Sequence, residues 1–253
     1  MGRKGDLLDL LRARLFRLVH RGTPGDVAFY CDRTRYATRV LELGCGAGRI
    51  LGPIAEQGTS VVGIERSPFM LAAGQDTFGG LPPHSRVELG DMRTFRFPEP
   101  FDTVIIPYNT LFAMETDDDI RACLARVHEQ LVPDGRLYLD CYVLNETGQS
   151  APSPFRKIDT ILDGGRRIEV WEQEGPELPG RRFEMRYRYR IQNPDGVARI
   201  ETDVVCHHYA PPDVLLELLD QAGFEITARH GDFDRSPFGP DSVIMVVEAR
   251  RRG

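Results

Sequence analysis

The sequence predicts an α/β protein: a mostly parallel sheet with helices on both faces, and an antiparallel β-sheet inserted late in the chain. Three observations carry this prediction. Short apolar runs alternate with stretches of helical periodicity from Val40 to Tyr142 and again from Pro211 to Ala249, the pattern of strands joined by crossover helices. A glycine turn, Gly44-Cys45-Gly46-Ala47-Gly48, separates the first apolar run from the helix after it. Between Pro154 and Tyr209 the period shortens to two, as in half-buried antiparallel strands.

A chain of 253 residues suits one domain with an insertion. The formal net charge of -6 argues against a general nucleic-acid binder. Cys31, Cys45, Cys123, Cys141 and Cys206 lack C-x-x-C spacing, which predicts reduced thiols, a cytoplasmic location, no disulfide frame and no metal site. No apolar run reaches membrane-spanning length, and the N-terminus is too charged for a signal peptide.

The elements follow in order. Leu7, Leu8, Leu11, Leu15 and Leu18 fall at helical spacing, with Gly22 as the stop. Val40 to Leu43 is the first strand, and Arg49 to Glu56 a helix ending at Gly58. Ser60 to Glu65 is the second strand. Ser67 then caps a helix with Pro68 in its first turn. Arg86 to Met92 is a third strand running into a loop, and Phe101 to Ile106 a fourth. Thr116 and Asp119 form a capping-box variant, and Ile120, Cys123, Leu124, Val127 and Leu131 are the buried stripe that follows. Pro133-Asp134-Gly135 turns into a fifth strand, Arg136 to Tyr142. Pro212 to Ala222 is helical with Gly223 as its cap, followed by strands Phe224 to His230 and Ser242 to Ala249.

The string Glu42-Leu-Gly-Cys-Gly-Ala-Gly48 after a strand resembles motif I of the class I S-adenosylmethionine (SAM)-dependent methyltransferases. Glu65 ends the second strand, 21 residues after Gly44. Gly90-Asp91-Met92 resembles the family's adenine site, and Leu131-Val-Pro-Asp-Gly-Arg-Leu137 its turn into strand five. The resemblance implies a Rossmann-like seven-stranded sheet with the seventh strand antiparallel. It implies SAM as cofactor and S-adenosylhomocysteine as product. Glu65 would accept from the ribose hydroxyls and Asp91 from the adenine amine. The other cofactor contacts expected are Tyr30 (facing the sulfonium, chosen over Tyr36), Glu42, Gly44, Cys45, Gly46, Gly48, Arg66, Met70, Met92 and Pro107. Phe69 is a further candidate beside the adenine. Two alternatives stand beside this one. A NAD(P)-dependent oxidoreductase needs a third glycine where this chain has Arg49. A SAM-binding protein without catalysis is the other.

The span Pro154 to Tyr209 is read as the inserted sheet. Phe183, Met185, Tyr187, Tyr189 and Ile191 alternate with charged residues, and Asn193-Pro-Asp-Gly196 is a turn. Pairing around that turn is expected to place Arg188 near Glu201 and Arg186 near Asp203, with Ala198, Ile200, Val204 and Cys206 continuing the apolar face. A bulge in the loop would shift the register by one residue. The domain plan is therefore 1–39, a helical lid; 40–153, the core; 154–209, the insertion over the active site; and 210–253, the remainder of the core. In the family resembled, such insertions roof the active site or build a dimer contact, so a homodimer is an open expectation.

A sulfonium methyl is already activated, so positioning supplies much of the acceleration and a dedicated base is optional for a neutral amine. The acceptor belongs beyond the ends of strands four and five. Tyr108 and Asn109 lie there. Ile106-Pro-Tyr-Asn109 departs from the Asp/Asn-Pro-Pro-Tyr motif of methyltransferases acting on nucleic-acid amines. Tyr108-Asn-Thr-Leu-Phe112 resembles the glycine and amino-sugar N-methyltransferases. Tyr108, His207 and His208 are the catalytic candidates. Tyr108, Asn109, Phe112, Tyr142 and Tyr187 are the acceptor-binding candidates. The expected partner is a small-molecule acceptor, methylated on nitrogen or oxygen, with no nucleic acid and no membrane.

Overall fold

A computed structural model describes residues 4–144 and 151–253; residues 145–150, near the end of the predicted core span, lie outside it. Two helices, α1 (Lys4–Val19) and α2 (Asp26–Thr34), precede the sheet. The core then runs β1 (Arg39–Leu43), α3 (Leu51–Glu56), β2 (Ser60–Glu65), α4 (Pro68–Ala73), α5 (Gln75–Phe78), β3 (Arg86–Leu89), β4 (Phe101–Ile106), α6 (Asp117–Gln130) and β5 (Leu131–Tyr142). The insertion contributes β6 (Arg156–Asp163), β7 (Arg166–Glu174), β8 (Arg182–Gln192) and β9 (Ala198–His208). The chain ends with α7 (Pro212–Gln221), β10 (Phe224–His230) and β11 (Ile244–Arg251).

The main sheet has seven strands in the order β10-β11-β5-β4-β1-β2-β3. The pairs from β5 through β3 are parallel, and β11 lies antiparallel between β10 and β5. Central strands covered on both faces read as nearly continuous apolar runs, as Val40 to Leu43 and Val104 to Ile106 do. Alternate residues then sort by face. Leu41, Leu43, Val104 and Ile106 pack with Ile120 and Leu124 of α6 and Leu215 and Leu219 of α7. Val40 and Ile105 pack with Phe29 of α2 and Leu51 and Ile54 of α3.

Local chemistry fixes the helix starts. Ser67 Oγ accepts from Met70 N at 3.2 Å, with Pro68 in the first turn. Thr116 Oγ1 accepts from Asp119 N at 3.1 Å, while Asp119 reaches back to Glu115 N, one residue ahead of the usual box. Pro133-Asp134-Gly135 falls inside β5 as an irregularity against β4, not before the strand.

The four inserted strands form a separate antiparallel sheet in the order β6-β7-β8-β9. Its inner face carries Ile161, Ile168, Val170, Tyr187, Tyr189 and Ile191, which pack on Leu15 of α1. The hairpin register differs from the expected one by a residue. Asn193 and Val197 close the loop with a backbone bond of 2.8 Å, around a three-residue turn in which Gly196 has φ 85. Arg188 therefore faces Thr202, Arg186 faces Val204, and Asp203 lies opposite Tyr187. Every side chain of β9 changes face as a consequence. Ile200, Val204 and Cys206, expected inside, are exposed; Asp203, Val205 and His207 turn inward.

Candidate active site

A cavity of about 870 Å³ opens at the C-terminal ends of β1, β2 and β4, between them and α1 and β9. Its floor is the glycine turn after β1. Cys45 N donates to Ile64 O at 3.0 Å, which ties the turn to β2. Gly46 has φ 55, and a Cβ there would come 3.3 Å from Met70 Cε across the cavity wall. Gly48, at φ 84, meets Phe78 of α5 instead: a Cβ would sit 2.6 Å from its ring. Gly48 packs a helix and, unlike Gly44 and Gly46, does not line the cavity.

Three carboxylates stand along this floor. Glu65 accepts from Gly46 N at 3.0 Å and Ser67 N at 2.8 Å, which joins the turn to the cap of α4. Glu42 is 3% exposed and its Oε2 has no hydrogen-bond partner among the described residues. Burial pushes its carboxyl up to about 8, the charge of Arg49 opposes the shift, and Glu65 adds to it. Asp91 is held on both oxygens by Arg93, whose hydrogen bonds pull its carboxyl below the ordinary range. Cys45, Arg66, Phe69, Met70, Met92 and Pro107 complete this end.

Beyond β4 the chain enters two consecutive left-handed residues, Tyr108 (φ 56) and Asn109 (φ 59). A tyrosine there is strained and persists only if its surroundings hold it. Asp140, buried at the end of β5, accepts from Tyr108 N at 2.8 Å and from the Tyr30 hydroxyl at 2.5 Å. Burial raises Asp140 to about 6. Asn109 Oδ1 accepts from Tyr142 N at 2.5 Å. The result is a fixed loop with the Tyr108 ring on the cavity wall.

The opposite wall comes from the N-terminal segment and the insertion. Phe16, Arg17 and His20 reach it from α1 and the residue after it; Asp203, Val205 and His207 reach it from β9. Arg17 of α1 donates to Ala73 O of α4 at 2.7 Å, and Arg21, just after the helix, pairs with Asp159 of β6 at 2.8 Å, so the N-terminal segment bridges core and insertion. His20 Nδ1 lies 3.4 Å from the Tyr108 hydroxyl, and His207 Nδ1 lies 3.0 Å from that of Tyr142. Burial pulls both histidines down to about 4, so both are neutral at pH 7.

Comparison with known proteins agrees with this architecture. Residues 40–135 match the family model described as a methyltransferase domain. The chain is 32% identical over 216 residues to the cypemycin N-terminal methyltransferase of Streptomyces sp, covering 84% of this chain and 83% of that protein. It is 27% identical over 173 residues to dTDP-3-amino-3,4,6-trideoxy-alpha-D-glucopyranose N,N-dimethyltransferase of Streptomyces venezuelae, covering 68% and 69%. The fold is that of the SAM-bound amino pentose methyltransferase CalS10 from Micromonospora echinaspora, with a TM-score of 0.72 at 24% identity, covering 91% of this chain and 93% of that one. The chain belongs to the class I SAM-dependent methyltransferases.

This methyltransferase uses SAM, and the floor of its cavity suits that molecule. The partnerless Glu42 Oε2 is a buried acceptor facing a space where a cationic amino group would relieve it. The turn around Gly46 leaves room that a side chain would fill. Arg49, standing where a dinucleotide fold needs glycine, is bound to Asp26 at 2.8 Å.

Several expected site residues lie elsewhere in the methyltransferase. Tyr30 is fully buried and spends its hydroxyl on Asp140, so it does not face the cavity; Tyr36 is 90% exposed. Phe112 is a core residue packed on Tyr142 and Tyr209. Tyr142 stands one layer back, behind His207. Tyr187 also stands behind the wall, its ring against His20 at 5.1 Å. His208 is turned away to Asp117 at 2.7 Å, which Arg181 also holds. The sequence reading missed His20 and Asp203. His20 carries no motif. Asp203 needed the correct hairpin register.

Proposed function

We propose that this methyltransferase transfers the methyl group to an uncharged amine of a small molecule. The observation that carries the proposal is the acceptor end of the cavity. Its wall carries His20 and His207, both buried and neutral, with Asp203 of β9 beside them and the Arg49 guanidinium over the Tyr108 ring; among the described residues there is no metal cluster. The neutral imidazoles can accept hydrogen bonds from the N–H of an uncharged amine. The relatives named for N-methylation support the choice of nitrogen.

SAM, when bound, supplies a sulfonium methyl that needs no further activation. The protein's part is binding and orientation. Glu65 would hold the ribose hydroxyls with the lone pairs left by Gly46 N and Ser67 N. Asp91 and Met92 would receive the adenine, and Glu42 with Gly44 and Gly46 the amino-acid end. Cys45, Arg66, Met70 and Pro107 would close round it. Tyr108, Asn109 and His207 would direct the acceptor's lone pair. The segment 1–39 and the insertion 154–209 would exclude water from above.

Incubation of labelled SAM with the purified enzyme and fractionated cell extract tests this. Label is expected in low-mass N-methylated products. Label confined to protein, nucleic acid or methyl ethers refutes the proposal.

A further inference from the structure

We infer that Tyr108 and His20 form a hydrogen-bonded relay that takes the proton from the acceptor amine, an inference that rests on the amine reading above. The geometry begins with the Tyr108 ring, which lines the cavity beyond β4 with its backbone pinned by Asp140. Its hydroxyl is 3.4 Å from His20 Nδ1. That is long for a hydrogen bond, as catalytic contacts often are before the reacting complex closes around them.

His20 is itself held on two sides. The Phe16 ring in the last turn of α1 lies 3.9 Å from the imidazole, and Tyr187 meets it edge-on at 5.1 Å. His20 Nε2 is enclosed without a hydrogen-bond partner among the described residues, so Nδ1 is the ring nitrogen with a polar neighbour. For Nδ1 to accept the Tyr108 proton, the hydrogen of the neutral ring sits on Nε2. His207 does not offer the same route. Its Nδ1 faces Tyr142, which stands behind the cavity wall.

The proton and electrons balance as follows. The amine lone pair forms a nitrogen–carbon bond to the methyl group while the carbon–sulfur bond breaks and its electron pair returns to sulfur. The methylated nitrogen now carries one proton too many. That proton passes to Tyr108 Oη as the Tyr108 hydroxyl proton passes to His20 Nδ1, and the imidazolium loses it to solvent as the products leave.

The groups around His20 make it a transient carrier. Burial disfavours the cation, and so does His207 from β9. The Arg49 guanidinium, 5.3 Å from the Tyr108 ring, works on the hydroxyl of Tyr108, whose shift upward by burial it opposes. Glu172 of β7, which bonds the Tyr187 hydroxyl, and Asp203 of β9, on the same wall, are the opposite charges nearby. A ring so placed does not store a proton at neutral pH, and burial of the bound amine lowers its own basicity by the same physics.

The test compares wild type with His20→Gln, Tyr108→Phe and the double variant. The probe amines are glucosamine and an alanine tetrapeptide, and calorimetry follows S-adenosylhomocysteine. Each single variant should lower kcat about 100-fold or more. Affinity for S-adenosylhomocysteine should stay within about twofold. The double variant should be no worse than the worse single, because the two residues act as one unit. The deficit should shrink from about pH 7 to about pH 9, as solvent base replaces the relay. Nitrogen-15 NMR of the wild-type complex with S-adenosylhomocysteine should find His20 in the Nε2–H tautomer, a readout independent of any acceptor. Additive losses, a pH-independent deficit, a parallel fall in S-adenosylhomocysteine affinity or an Nδ1–H tautomer each overturns the relay. Wild type that binds S-adenosylhomocysteine yet methylates neither amine overturns the amine reading instead.

Discussion

At the ends of β1 and β2 the cavity wall is mostly backbone: a glycine turn tied to Ile64, with Gly46 N and Ser67 N both given to Glu65. Across the cavity, the wall of α1 and β9 is all side chain, and its residues come from places more than 180 positions apart, His20 and His207. The floor is a local device, set by a few consecutive residues. The roof is a tertiary one, set by how a helix packs on a separate sheet. A local device tolerates little change at any of its positions. A tertiary one can change its lining without disturbing the floor, which suits a fold that keeps one cofactor and varies its acceptor.

The largest effect is expected where the floor leaves room for the cofactor. Gly46→Val forces a branched residue into φ 55 and fills the space beside Met70. Calorimetry should find SAM affinity reduced about 100-fold or more, with the far-UV spectrum unchanged. Val205→Ala on the roof should leave SAM affinity alone. Equal losses in the two variants would mean that floor and roof are not separable.

Glu65→Ala comes next. It removes the acceptor proposed for the ribose and also releases Gly46 N and Ser67 N. SAM binding should weaken by about 1.5–3 kcal/mol. A folded Glu65→Ala protein that keeps its affinity would place the ribose elsewhere.

The same contrast explains what the sequence could reveal. The core strands, the glycine turn and the caps at Ser67 and Thr116 depend on neighbours in sequence and were legible, whereas α2 and β6 were not read. Tyr30 was misplaced because its destination, Asp140, lies 110 residues away and no local pattern points to it. His20 was overlooked because a histidine after an amphipathic helix looks like any surface residue until β8 and β9 are laid beside it. The hairpin failed by one position, since Asn193-Pro-Asp-Gly196 is compatible with two loop lengths. That slip reversed a whole strand and hid Asp203.

A pH titration of stability separates the two walls by sign. Burial raises Glu42 from 4.5 to about 8 and Asp140 from 3.8 to about 6. A raised carboxyl contributes stability below its unfolded value that is lost as pH rises through the folded one. The floor therefore weakens the ligand-free enzyme between pH 4.5 and about 8. His20 and His207 are lowered from 6.5 to about 4, so their contribution is present above 6.5 and lost as pH falls through about 4. Melting temperature should decline on both sides of a maximum. Glu42→Gln should flatten the alkaline limb and His207→Asn the acid one. An alkaline limb unchanged by Glu42→Gln would show that Glu42 ionises freely in the folded protein.

The smallest effect tests the hairpin register itself. In the register expected from the turn, Ile200 would sit on the apolar face of the inserted sheet, and replacing it by serine would cost about 2 kcal/mol or more. In the structure Val197 pairs with Asn193, Ile200 faces outward opposite Arg190 and is 65% exposed. Ile200→Ser should then change stability by no more than about 0.5 kcal/mol. Val170→Ser, on the inner face of the same sheet and fully buried, is the control that must destabilise. Urea denaturation of the two variants measures the difference directly, and the slope of the transition shows whether either loosens the native state. A large loss from Ile200→Ser would mean that β9 pairs one residue out of step with the structure. It would also turn Asp203 and His207 away from the cavity, and the acceptor wall would have to be drawn from other residues.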